Sequence, residues 1–205
     1  MHKFKILAEL SVVFTCALLT ACGGVLASGK PARQVYMLQS PPVTASADTG
    51  APEGGALVLA VHAVPGLDTD QIQVLGTDAR LLPAANARWA DNLPEVFTSI
   101  ARHYLSDTRQ FKAVHVGSLA RPDEWLVELE LQAFYGIQGA GGATSGVELT
   151  MEVMLHCDEK QNVVRVTQRT GTSGDTLSSL VAAHQQVLDA AMQELPGLIL
   201  KSCRA

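Results

Sequence analysis

The first 22 residues constrain this chain more than any other stretch. Lys3 and Lys5 precede an apolar run from Ile6 to Ala21, in which Glu9 is the one charged residue. A basic head followed by an apolar segment too short to span a bilayer comfortably is typical of an export signal. The run closes on small residues and a cysteine, Leu19-Thr20-Ala21-Cys22. We therefore predict that residues 1–21 are a signal peptide and that the folded part lies beyond them.

Leu19-Thr20-Ala21-Cys22 resembles the bacterial lipobox. The resemblance implies that Cys22 carries palmitate-type acyl chains and becomes the first mature residue. An ordinary cleaved signal with a chance cysteine is the alternative. Two or three acyl chains, at about 0.8 kcal/mol per buried methylene, hold a protein on a membrane far better than one chain does. Residues 22–33, rich in small residues, are predicted to be a flexible tether.

Charge and hydropathy limit the class of partner. The net charge is −5, and no basic cluster occurs, which argues against nucleic acid and against charge-driven binding to anionic headgroups. The chain beyond the signal has the length of one domain and can bury a sizeable core. It contains no second apolar run near 18 residues, so nothing else in the sequence is predicted to span a membrane.

Hydrophobic periodicity predicts an α/β domain with an antiparallel meander and two main amphipathic helices. The long segment 39–55 is rich in Pro, Gly, Ser and Thr and is predicted to be a loop. One helix begins at Asp91 or Asn92, with a capping box to Glu95, and carries its apolar stripe from Leu93 to Leu105. The predicted strands are 34–38, 56–64, 71–75, a short one near 80–82, 113–116, 125–135, 147–157 and 163–170.

The second helix carries an apolar stripe from Leu177 to Leu195, and Pro196 is predicted to end or kink it before a short tail. In the meander, alternation places the glutamates of the middle strands on one wet face, where the arginines of the last strand can pair with them. These residues are Glu128, Glu130, Glu148, Glu152, Arg165 and Arg169. We interpret this face as solvated.

The remaining cysteines favour a disulfide. Cys16 leaves with the signal and Cys22 takes the lipid, so Cys157 and Cys203 are left in an oxidising compartment. Two separate buried thiols are the alternative. A disulfide requires that the two Cα atoms lie within about 7 Å of each other.

Several segments superficially resemble functional motifs. The loop from Gly139 to Gly146 lacks the lysine and the following helix of a phosphate loop. His156 and Cys157 are neighbours on a strand and point to opposite faces, so they cannot readily share a metal ion. His184 and His62 are interpreted as satisfied core or boundary histidines rather than catalytic bases. No catalytic, cofactor-binding or metal-binding residue is predicted, and we expect no enzyme activity and no cofactor.

Five elements, taken in order, resemble one family. They are Tyr36-Met37-Leu38-Gln39-Ser40-Pro41, Pro65-Gly66-Leu67-Asp68, Gln71-Ile72, Arg88-Trp89-Ala90-Asp91-Asn92-Leu93, and Leu180-Val181-Ala182-Ala183-His184-Gln185-Gln186. In this order they are similar to the ABC-type transport auxiliary lipoproteins, which include the lipoprotein component of the Pqi system.

That resemblance implies one domain over residues 34–205, with a mixed sheet like that of the N-terminal domain of TolB. It also implies a non-catalytic outer-membrane lipoprotein that faces the periplasm. Its expected partners are a substrate-binding protein of the mammalian-cell-entry (MCE) type and the components of a lipid-transporting ABC system. Gly23 after Cys22, rather than Asp, fits outer-membrane sorting. Family members can assemble into rings, so a homo-oligomer is possible.

Two other classes stay open at this point. One is a scaffold or assembly lipoprotein of another cell-envelope complex, which would share the fold and the anchor. The other is a periplasmic hydrolase or lipid carrier, which would need an enclosed apolar cavity of several hundred Å³ holding perturbed titratable groups.

Overall fold

The structure, a computed structural model, describes residues 33–43, 52 and 54–204, and the chain from Arg33 onward forms one compact unit. Cys22, the signal, most of the tether and most of the predicted 39–55 loop lie outside the described residues. The elements are β1 Gln34–Tyr36, β2 Gly54–Ala63, β3 Gln71–Leu75, β4 Leu81–Trp89, α1 Leu93–Asp107, β5 Phe111–Val116, β6 Glu124–Gln138, β7 Thr144–Cys157, β8 Lys160–Gly171 and α2 Leu177–Arg204.

The eight strands form one mixed sheet around β6. Along one edge, the first half of β6 runs parallel to β2, from the pair Ala56–Glu124 to the pair Ala63–Leu131, and its end runs parallel to β3. Along the other edge β6 pairs antiparallel with β7, which pairs antiparallel with β8. β5 flanks β2, and β4 and β1 continue the sheet beyond β3. The predicted α/β class with an antiparallel meander is confirmed.

A β-bulge in β6 changes which residues enter the core. Leu131 pairs with Met151, but Ala133 pairs with Thr150, so Gln132 is an extra residue in this strand. Before the bulge the odd-numbered residues face the core, as the alternation predicts. After it Phe134 turns inward and is fully buried. A bulge of this kind reverses the face of every following residue.

Both helices cover the same face of the sheet. α1 packs on β2 and β5, and α2 packs on β7, β8 and β6. Their apolar stripes and the inward residues of the strands form one hydrophobic cluster. Neither of the two described helices covers the other side of β2, β6, β7 and β8, which we call the open face.

The central strand β2 is buried on both sides, as its continuous apolar run predicts. Leu57 and Leu59 join the cluster under the helices, whereas Val58 and Ala60 lie on the open face and are also buried. The chain just after β5 continues the ladder beside β2: the N–H of Gly117 donates to the carbonyl of Leu59.

The two helix ends differ from the sequence prediction. α2 does not end at Pro196: it continues to Arg204, so the predicted short tail is wrong. Leu195, Pro196 and Ile199 are buried along this stretch, so packing outweighs the hydrogen bond that proline cannot donate. The capping box at α1 is wrong as well, because the side chain of Asn92 makes no capping hydrogen bond.

Candidate functional site

The described domain begins at an edge strand. β1 runs parallel to the end of β4, with Tyr36 opposite Trp89. Eleven steps of chain lead from Cys22 to Arg33, and at the maximal rise of an extended chain this segment reaches about 40 Å. A lipid on Cys22 would therefore hold β1 within about that distance of a membrane surface.

The separated sequence elements that resemble the family motifs meet around Trp89. Its N–H donates to the carbonyl of Asp70 over 2.7 Å, and the N–H of Leu93 donates to the carbonyl of Thr69 over 3.2 Å. Arg88 forms an ion pair with Asp70, with 3.2 Å between Nη1 and Oδ2. These bonds join the start of β3 to the end of β4 and to the start of α1. Trp89 itself is the last residue of β4 and is buried.

Four aromatic rings form the centre of this region. The Phe134 ring lies edge to face against Phe97, with centroids 5.1 Å apart, and against His184, with centroids 4.7 Å apart. Trp89 packs on Phe134 at 5.8 Å and on His184 at 5.2 Å. Each ring comes from a different element (β4, α1, β6 and α2), so the cluster joins both helices to the sheet.

His184 is a neutral core residue. Its Nδ1 lies 2.9 Å from the carbonyl oxygen of Leu180 and donates to it, because a carbonyl can only accept. Burial lowers the pKa of His184 to about 4, although the bond to Leu180 acts in the opposite direction. Its Nε2 has no partner among the described residues. The predicted placement in the core is confirmed, but the side chain is satisfied at only one of its two nitrogens.

A half-open cleft of about 220 Å³ lies beside β1. Tyr36, Leu38 and Trp89 line it from one side, and Val96 and Ile100 of α1 from the other. Two exposed acidic residues, Asp91 and Glu95, also line the cleft. The remaining lining residues are Met37, Ala90 and Ser99.

The chain leaving the cleft is held on α2. The backbone N–H of Gln39 donates to Oε1 of Gln185 over 2.9 Å, and Nε2 of Gln185 donates back to the carbonyl of Gln39 over 2.9 Å. Gln185 also donates to Oδ1 of Asp189 over 2.6 Å. The next side chain, Ser40, has a buried Oγ without a partner in the described part of the chain.

The open face is polar, and its charges are largely neutralised within the chain. Arg165 pairs with Glu152 over 2.6 Å, and Arg169 pairs with Glu148 over 2.7 Å, which confirms the predicted pairing between strands. The bond from Arg165 holds the pKa of Glu152 below its usual value. His156 lies 3.0 Å from Glu128 in the neighbouring strand. We therefore interpret this face as a solvated surface.

A second cleft, of about 370 Å³, lies at the edge of the open face. The loop after β5 forms one wall, and Leu126 and His156 of the sheet form the other. Leu119 in this loop is 87% exposed. Both clefts are open to solvent, whereas a lipid carrier would need an enclosed apolar cavity.

The cysteines and the other histidines considered in the sequence analysis lie in different parts of the domain. Cys157 and Cys203 are disulfide-bonded in the structure, with their Cα atoms 5.3 Å apart. His156 is on the open face, whereas Cys157 is buried on the helix side. The interpretation of His62 as a core or boundary residue is wrong, because His62 is exposed where β2 approaches its end. Within residues 33–43, 52 and 54–204, no three His, Cys, Asp or Glu side chains are grouped to hold a metal ion.

Comparison with known sequences identifies the family. The fold and the elements around Trp89 define a mixed α/β domain. The chain belongs to the family described as the ABC-type transport auxiliary lipoprotein component, whose sequence profile matches residues 36–195. The predicted family is confirmed, and membership makes the chain an auxiliary lipoprotein of ABC-type transport. No curated protein matches the chain significantly.

Solved structures share the fold at low sequence identity. A crystal structure of an uncharacterized protein, for which no organism is stated, is 14% identical and has a TM-score of 0.66. The match covers 82% of this chain and 99% of that one. A protein from Xanthomonas campestris is 18% identical with a TM-score of 0.65, and the match covers 83% of this chain and 97% of that one. Rare lipoprotein B from Shewanella oneidensis is 13% identical over 72% of this chain and 92% of that one, but its TM-score of 0.35 is too low to support an argument.

Neither described helix combines the length and the apolar character that crossing a membrane requires.

Proposed function

We propose that this protein is an outer-membrane lipoprotein that faces the periplasm and is anchored by acyl chains on Cys22. It serves as the non-catalytic auxiliary subunit of an MCE-type ABC system that moves lipid between the inner and outer membranes. The observation that carries the proposal is the family match over residues 36–195 together with the lipobox-like Leu19–Cys22.

The geometry of the described domain supports an interaction role rather than catalysis. Its one strongly perturbed histidine, His184, is enclosed by aromatic rings and lies 2.9 Å from a backbone carbonyl, so no substrate can reach it. The two clefts described above are partly open to solvent, and the larger one is lined by an exposed loop. Because both clefts are open to solvent, we propose that the lipid passes through partner subunits rather than through this domain.

The proposal is tested by a detergent pull-down of the acylated protein, with Cys22→Ala alongside, read by mass spectrometry and membrane fractionation. We expect the wild type in the outer membrane together with an MCE protein, and the variant lost from the membrane. Acylation without any transporter component would overturn the transport assignment and leave a scaffold lipoprotein of another envelope complex. An unacylated Cys22 would overturn the anchor itself.

A further inference from the structure

The outer edge of β1 is unpaired among the described strands, and apolar side chains in β1 and just after it are exposed. Among the described strands, β4 alone pairs with β1, so one side of β1 has no strand partner there. Val35 is 52% exposed and Met37 is 73% exposed. Residues two apart on an extended chain point the same way, so these two side chains form one exposed apolar strip. An exposed strand edge with free N–H and C=O groups is a template for a further strand.

The cleft beside β1 adds a pocket for side chains. Tyr36, Met37 and Leu38 line the cleft, and Ile100 lies across from them on α1. The volume of about 220 Å³ is smaller than the roughly 300–1,000 Å³ of typical small-molecule pockets. It suits one or two side chains of a peptide better than a separate organic ligand.

The charge of the cleft indicates the chemistry of its ligand. Asp91 and Glu95 both line it, and neither forms an ion pair within the described residues. Among the described residues, the hydrogen bond that Asp91 accepts comes from the backbone N–H of Asn92. On the open face, by contrast, Glu148 and Glu152 each pair with an arginine. Uncompensated carboxylates beside an apolar surface favour a cationic partner and disfavour anionic lipid headgroups.

We infer that β1 and its cleft form a docking site for an extended peptide segment of a partner protein. The segment adds a strand to the free edge of β1, inserts an apolar side chain into the cleft and places a Lys or Arg against Asp91 and Glu95. The inference rests on the proposed function in that the segment belongs to the transport partner. The position fits that role, because the tether joins the domain directly before β1.

The test is peptide selection on the acylated full-length protein in phosphatidylcholine nanodiscs. A phage-displayed library of random ten-residue peptides is the probe, and selected peptides are then measured by fluorescence anisotropy. We expect enriched peptides to combine apolar residues with Lys or Arg. Their affinity should fall about tenfold in Met37→Glu, which places a charge on the apolar strip, and several-fold in Glu95→Gln.

Matched variants control for charge and exposure. Leu119→Glu changes an exposed apolar residue in the loop after β5, and Glu159→Gln neutralises an exposed carboxylate between β7 and β8. Both should leave peptide affinity unchanged. Met37 and Glu95 are themselves exposed, so their variants should retain the wild-type circular dichroism spectrum. Methylating the backbone nitrogens of a selected peptide should weaken binding, because a strand added to a sheet edge needs its N–H groups.

Two results would overturn the docking site. One is that no selected peptide binds Met37→Glu more weakly than the wild type. The other is equal binding to empty nanodiscs, which would indicate lipid contact. The proposed function is judged separately in the pull-down. An MCE protein captured equally by wild type and Met37→Glu would keep the transport role and reject this site. Peptide binding at β1 without capture of an MCE protein would keep this docking site and reject the transport role.

Discussion

The indole of Trp89 and the imidazole of His184 meet edge to face, with ring centroids 5.2 Å apart. Both side chains are buried, and neither Nε1 of Trp89 nor Nε2 of His184 has a hydrogen-bond partner in the described part of the chain. Trp89 ends β4 at the cleft, and His184 lies on α2 next to Gln185, which holds the backbone of Gln39. The pair therefore connects the candidate docking cleft to the second helix.

His184 makes the folded state sensitive to mild acid. In the unfolded chain its pKa is about 6.5, and burial lowers it to about 4 in the folded state. Below pH 6.5 the unfolded chain takes up a proton that the folded chain excludes. The contribution of His184 to the unfolding free energy is therefore fully present above about pH 6.5 and is lost as the pH falls towards 4. The shift corresponds to about 3 kcal/mol of unfolding free energy, to be measured by urea unfolding at several pH values.

Two variants separate this effect from other titrations. His184→Leu should remove most of the dependence between pH 6.5 and 5, a window in which most carboxylates are still ionised. His62→Gln changes an exposed histidine and should leave the slope as in the wild type. An equal slope in His184→Leu and wild type would contradict the assignment.

Phe134 is expected to be among the most costly side chains to truncate. It is fully buried and touches the rings of Phe97, Trp89 and His184. Phe134→Ala should lower the unfolding free energy by about 3–5 kcal/mol, because it leaves a cavity between the sheet and both helices. The comparison is Tyr135→Ala, the next residue on the more exposed side of β6, which should cost clearly less. Similar losses in urea unfolding would show that the bulge does not place Phe134 as described.

The same bulge shows where sequence prediction stops. The alternation of Val127, Leu129 and Leu131 was sufficient to predict β6 and its core face, because each strand residue points opposite to its neighbours. It could not predict that Gln132 would be inserted without a partner, since that depends on how β6 pairs with β7. Continuing the alternation places Phe134 on the wet side, which is wrong.

The candidate site was predicted only in fragments. The sequence showed the Tyr36–Pro41 element, the Trp89 element and the helix containing Gln185 as separate motifs. Their meeting depends on the parallel pairing of β1 with β4 and on the path of α2, which have no local sequence signal. The sequence predicted a short strand near 80–82 and did not predict that β4 extends to Trp89. Pro196 indicated a helix end, but α2 continues beyond it because Leu195 and Ile199 are buried against the domain.

The bond between Cys157 and Cys203 should add substantially to stability. It joins β7 to the last turn of α2 across 46 residues of chain. For a closed loop of that length, the chain-entropy relation gives about 4 kcal/mol. We expect Cys203→Ala to lower the unfolding free energy by an amount approaching this value and to lower the melting temperature of the full-length protein in detergent.

Alkylation provides the direct measurement of that bond. In denaturant without reductant, Cys157 and Cys203 should stay unmodified, and peptide mapping should find their two peptides joined. Adding a reductant should release them and permit labelling of both. Labelling before reduction would show two free thiols, the alternative that the sequence left open.

The ion pairs of the open face should contribute little to stability. Arg165 and Glu152 lie 2.6 Å apart, but the arginine side chain is mostly exposed, so water and salt screen the attraction. A double-mutant cycle with Arg165→Gln and Glu152→Gln should give a coupling free energy below about 1 kcal/mol, and less again in 1 M salt. The pair of Arg169 with Glu148 serves as the parallel case on the same strands. A coupling of several kcal/mol that salt does not reduce would mean that this face is shielded from water in the working protein, and a partner covering β7 and β8 would then have to be sought.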